Sequence, residues 1–132
     1  MPVIYSISSA DRLIRTACIR PVSFSEVIEH FRTLQQDPAC SGSLDVLLDV
    51  SAADLLPESA QLGAIKTELS ALRVKVQFGR CAIVASRDAM FGMMRMFEVL
   101  AAPSFVAIRV FRGSPEAEAW LVSQKTAGQP GS

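Results

Sequence analysis

Histidine is nearly missing: His30 is the only one in 132 residues. No cysteine lies near it, so neither a two-histidine metal spacing nor a cysteine–histidine nucleophile pair is available. Cysteine is scarce too. Cys18, Cys40 and Cys81 are odd in number and lack metal-type spacing, which argues against a disulfide framework and for a reducing compartment. Charge of one sign is absent, with 13 basic against 13 acidic side chains. That balance leaves no electrostatic footprint for nucleic acid or an anionic membrane surface. No apolar run approaches the ~20 residues of a spanning helix. The opening "MPVIYSISSADR" has no basic stretch followed by an apolar one, so no signal peptide is expected. These absences predict a cytoplasmic protein without an integral membrane segment.

What is present is an alternating pattern. "VIYSISS" and "RLIRTACIR" are short β-prone runs separated by "ADR", with Ser9 and Asp11 as turn formers, and predict an antiparallel hairpin. Arg15 shares a strand face with Leu13, Ala17 and Ile19, so one side of that hairpin is expected to be partly wet. "PVSFSEVIEHF" opens a helix, with a capping box in Ser23 and Glu26 and a hydrophobic staple in Val22 and Val27. Phe24, Val27, Ile28, Phe31 and Leu34 share its apolar stripe, with His30 at the flank as a boundary residue, and Pro38 stops it.

"LDVLLDV" is apolar and nearly continuous, as in a strand buried on both faces of a parallel sheet. A helix follows with Pro57 in its first turn and a buried stripe of Leu62, Ile65, Leu69 and Leu72. "RCAIVAS" predicts the next strand, followed by a methionine-rich helix capped by Asp88 or Ser86 and ended by Pro103. "FVAIRVF" is a last strand, and Ser114 with Pro115 starts a last helix. The order β-β-α-β-α-β-α-β-α predicts an α/β fold: an N-terminal hairpin, then crossover units, giving a mixed, mostly parallel sheet packed by about four helices. One domain over residues 1–125 is expected, with 126–132 a disordered polar tail.

That order, with the stretches "LDVLLDVS", "GRCAIVAS", "FGMMRMFE" and "IRVFRGSPEAEAWL", resembles the SpoIIAA-like family of STAS-type domains over residues 3–122. The more specific matches are Phe91-Gly92 followed by Arg95-Met96-Phe97, and Arg109-Val110-Phe111 followed by Glu116-Ala117 and Ala119-Trp120-Leu121. The resemblance implies a small non-enzymatic module for regulation or ligand binding. Anti-sigma-factor antagonists of this fold are phosphorylated on a serine in an Asp-Ser-Ser-Gly turn. The matching turn here is Pro57-Glu58-Ser59-Ala60, with Glu58 where that serine would be. The resemblance thus implies a module without the classical phospho-serine turn, with Ser59 the remaining acceptor.

Ligands of open parallel sheets collect beyond the carboxyl ends of the strands. Those ends offer Asp49, Ser51 and Asp54, then Ser86, Arg87 and Asp88, then Arg112 and Ser114. The rim contains no catalytic constellation, and Asp54 and Asp88 serve equally well as helix caps, so no catalytic residue, metal or cofactor is expected.

Four of five methionines fall within residues 90–96. Helical spacing gathers Met90, Met93, Met94, Met96, Phe97, Leu100 and Ala101 into one buried arc. The other side carries Phe91 and Val99 among Gly92, Arg95 and Glu98. Phe91 is expected to stack with Arg95, and Arg95 to pair with Glu98. Two functions follow as expectations. The first is a regulatory module meeting a protein partner, or a second copy in a homodimer, through Ser51, Asp54, Glu58, Ser59, Phe91 and Arg95. The second is a carrier of a lipid-like small molecule between the methionine-rich helix and the sheet.

Overall fold

The computed structural model describes residues 3–20, 24–53 and 59–127. Along the chain run β1 (Val3–Ser8), β2 (Leu13–Arg20), α1 (Phe24–Gln36), β3 (Gly42–Ala53), α2 (Ser59–Leu72), β4 (Val76–Val84), α3 (Asp88–Ala101), β5 (Ala107–Phe111) and α4 (Ser114–Ala127). The five strands form one sheet in chain order, β1 antiparallel to β2 and the rest parallel. The expected mixed α/β architecture is therefore observed.

The hairpin turn is closed by Asp11, whose backbone N–H donates to Ser8 Oγ at 3.2 Å, and Arg12 adopts a left-handed φ of 52°. Each later strand joins the far edge of the growing sheet. Three successive crossovers of one hand put α1, α2 and α3 on one face. Leu34, Leu62, Leu69, Leu72, Met90, Met94 and Phe97 pack there against Ile14, Cys81 and Ile83 of the sheet. The opposite face carries α4, where Ala117 and Leu121 cover Leu13, Leu47, Ala82 and Val84. Since α4 lies over β3, β4 and β5, the near part of β1 and β2 on that face is open. Arg15 projects there and pairs with Glu118 of α4 at 2.8 Å, which explains its place among apolar neighbours.

β3 and β4 extend further towards their N-termini than their apolar runs suggest, because a bulge interrupts the pattern. Gly79 and Arg80 lie opposite the single residue Asp45. The buried Asp45 carboxylate takes the Arg80 N–H at 2.8 Å, and a Cβ on Gly79 would collide with it. A buried acid thus supplies the ladder bond that the bulge removes.

Three local expectations need correction. Neither Asp88 nor Ser86 caps α3: its N-cap is Arg87, with no side-chain cap bond. Asp88 Oδ1 instead accepts from Arg112 Nη1 at 2.6 Å, and the Ser86 carbonyl accepts from the same nitrogen at 3.2 Å. Arg112, not Arg95, is the cation over Phe91, 4.1 Å from the ring centroid. The β5 end delivers it to the start of α3, whereas Arg95 is drawn to Glu98 at 3.5 Å, the expected pair. Met96 is 45 % exposed rather than buried, because the sheet-facing arc is narrower and holds Met90, Met94, Phe97 and Ala101.

Pro103 lies in a 3-10 turn, Ala102–Ser104, that follows α3 directly. The helix α4 continues to Ala127, two residues into the stretch read as tail. The Ser23 cap, the Val22 staple, Pro57, and residues 128–132 lie outside the described residues.

Candidate ligand cavity

A layer of three helices cannot seal a twisted sheet completely, and here the gap is an apolar cavity of about 340 Å3. Its floor is the sheet face presented by Thr16, Val46, Leu48, Val50 and Cys81. Its roof comes from all three helices: Val27, His30, Phe31 and Leu34 of α1; Leu62, Ile65 and Leu69 of α2; Met90, Met94 and Phe97 of α3. The lining follows β3 from Val46 to Ala53, a run of roughly 20 Å at ~3.3 Å per residue. Volumes of ~300–1,000 Å3 are usual for sites that enclose a small organic molecule.

The polar atoms inside are few and uncharged. Thr16 on β2 is buried, and its Oγ1 lies 3.5 Å from Nε2 of His30 on α1. The Tyr5 ring meets the His30 ring edge-on, centroids 5.2 Å apart, and Phe31 lies at 5.6 Å on another side. Burial holds His30 down from its ordinary value to about 4, so the ring is neutral at physiological pH. Gln61 reaches the lining from α2. The Cys18 thiol is pushed up to about 11, mainly by burial and secondarily by Asp49, and burial raises Cys81 further. Both thiols stay protonated and act as small apolar groups. Among the described residues no lysine, arginine, aspartate or glutamate lines the cavity.

Outside it, the Tyr5 hydroxyl donates to Asp37 Oδ2 at 2.7 Å. That bond is the main reason the phenol is raised to about 12 and the carboxyl lies below its usual range. Lys75 Nζ donates to the carbonyls of Leu34, Gln35 and Asp37 at 2.9–3.2 Å, closing the C-terminal end of α1.

The residues singled out from sequence lie around this structure rather than in it. Ser51, near the end of β3, donates from both its N–H and its hydroxyl to Asp49 Oδ1, at 2.9 and 2.5 Å. Phe91 is half-buried under Arg112, and Arg95 is exposed beside Glu98. Glu98 in turn accepts the Val110 N–H at 3.1 Å, satisfying an edge group of β5. Asp54, Glu58 and the side chain of Ser59 lie outside the described residues. No hydrogen bond, ion pair or ring contact among the described residues joins Ser51, Phe91 and Arg95 to one another.

His30, expected at the boundary of the stripe, is half-buried there, and sequence reasoning missed that it lines the cavity. The available signal was spacing: Val27, His30, Phe31 and Leu34 stand at i, i+3, i+4 and i+7, a single helical stripe.

Among the described residues no group of three or more histidine, cysteine, aspartate or glutamate side chains is placed to hold a metal ion. Nor is any helix among them long and apolar enough to cross a membrane. No family model, no curated protein and no solved structure matches the chain.

Proposed function

We propose that this protein is a non-enzymatic module that binds or carries a lipid-like hydrophobic molecule between its sheet and the α1–α2–α3 layer. The observation that carries the reading is the 340 Å3 cavity, walled by apolar side chains from seven elements and bare of charge among the described residues. Apolar surface of this kind gains about 0.8 kcal/mol per methylene that a ligand buries in it. Its roof includes Met90 and Met94, whose unbranched side chains adapt to chains of different length.

The test is binding of the uncharged dye Nile red, compared between the wild type and Leu48→Trp. Leu48 lines the floor, and an indole there occupies the space a ligand would use. Saturable binding lost in a variant that unfolds cooperatively supports the reading. A wild-type protein that binds no dye, and carries no small molecule when purified from its host, ends it.

A second reading is the protein-interaction module that the SpoIIAA-like resemblance implies. It is favoured by the outer face of α3, where Met96 and Val99 are exposed, 45 % and 74 %, beside Arg95. The two readings combine naturally, since the helix facing the partner also roofs the cavity. Val99→Asp should then lose a partner captured by the wild type while retaining the dye.

A further inference from the structure

We infer that Thr16 and His30 anchor an uncharged oxygen head group, a hydroxyl or carbonyl, so that the cavity selects neutral lipids over carboxylates of the same chain length. The inference rests on the reading above, that the cavity holds a ligand, and names the chemistry of that ligand's polar end.

Two polar side chains meet here in a largely apolar space, one from the sheet and one from α1. Their 3.5 Å separation is the long limit of a hydrogen bond, so neither is well satisfied by the other. A threonine hydroxyl both donates and accepts, and a neutral imidazole has one donor and one acceptor nitrogen. An oxygen inserted beside the pair therefore finds a donor from either, and a ligand hydroxyl can also return a proton to Nε2 or Oγ1.

A carboxylate would find no compensation in the same place. No lysine or arginine among the described residues lines the cavity, and a buried unpaired charge is strongly disfavoured. Among the described residues of the lining, the only group able to supply positive charge is His30, and its surroundings oppose protonation. It is packed by the Tyr5 and Phe31 rings and faces the Thr16 hydroxyl. Asp37, which lies beyond the Tyr5 ring, is already engaged by the Tyr5 hydroxyl and by the Ala39 N–H. Gln61, Cys18 and Cys81, the other polar groups of the lining, are neutral as well.

The experiment is displacement of Nile red from the full chain at pH 8 by decan-1-ol and by decanoate, in the wild type, Thr16→Val and His30→Leu. Thr16→Val keeps the side-chain shape at the buried position, so it guards against a His30 variant that fails to fold. The alcohol should displace the dye at least tenfold more effectively than the carboxylate in the wild type. In either variant decan-1-ol should displace the dye at least threefold less effectively, with dye affinity itself retained. Equal or better displacement by decanoate in the wild type overturns the inference, as does decan-1-ol displacement left unchanged by both substitutions; in both cases the ligand reading stands. Absence of dye binding to the wild type removes the ligand reading and this inference with it.

Discussion

Lowering the pH should destabilise this protein through one residue, His30. Its pKa falls from an ordinary 6.5 when the chain is unfolded to about 4 in the folded state, because burial disfavours the imidazolium. The unfolded chain therefore binds the extra proton throughout the interval between those values. Stability is highest above 6.5 and declines as the pH falls towards 4. Each full pKa unit corresponds to ~1.36 kcal/mol, and integration between pH 7.5 and 5 gives a loss of about 2 kcal/mol. Most free carboxyl groups remain ionised in the unfolded chain at pH 5, so the window isolates the histidine. The assay is urea unfolding of wild type and His30→Leu at the two pH values. The wild type should lose about 2 kcal/mol more than the variant, whatever their absolute stabilities. An equal loss in both proteins would refute the argument that His30 is held neutral by the cavity wall.

Two substitutions test the frame around the cavity. Gly79→Ala should destabilise by about 1–3 kcal/mol in the same unfolding assay, because the new Cβ enters the space of the buried Asp45 carboxylate at the β3–β4 bulge. Lys75→Met keeps the aliphatic stem but removes the cation from the carbonyls of Leu34, Gln35 and Asp37 at the C-terminal end of α1, and should cost about 1–2 kcal/mol. Hydrogen exchange in the last turn of α1 should rise in Lys75→Met and stay unchanged in Gly79→Ala.

The mixed sheet and the order of elements along the chain were legible in the sequence because crossover strands and their helices differ in periodicity. "LDVLLDV" is apolar on both faces since α4 covers Leu47 while the cavity side takes Val46 and Leu48. What was not legible depends on contacts between distant segments. Arg112 reaches Phe91 and Asp88 only because β5 ends beside the start of α3, so a local i, i+4 rule chose Arg95 instead. Asp45 and Gly79 are unremarkable letters until the bulge puts one in the space of the other. The part of His30 in the cavity was missed for a related reason. A lone histidine on a helix flank has no sequence partner, and its partners Thr16 and Tyr5 come from strands 14 and 25 residues upstream. The clustered methionines did signal a helix packed on the sheet, but they could not report the size of the space beneath it.

That space has an energetic consequence. Apolar side chains left facing open space forgo roughly 25 cal/mol for each Å2 that burial would remove from water. Met90 and Met94 in the roof are the side chains best able to follow a closing or a filling of that space. A ligand that fills the space stabilises the folded state by about 2.7 kcal/mol at a hundredfold excess over its Kd. For a chain of this length, that corresponds to a rise in Tm of roughly 10 °C. Protein purified from its host should accordingly melt higher than the same protein denatured, stripped with organic solvent and refolded. Adding back the extracted fraction should restore the difference. If the stripped and native preparations melt together, and the extract changes neither, then the core closes by itself and the cavity is not a site.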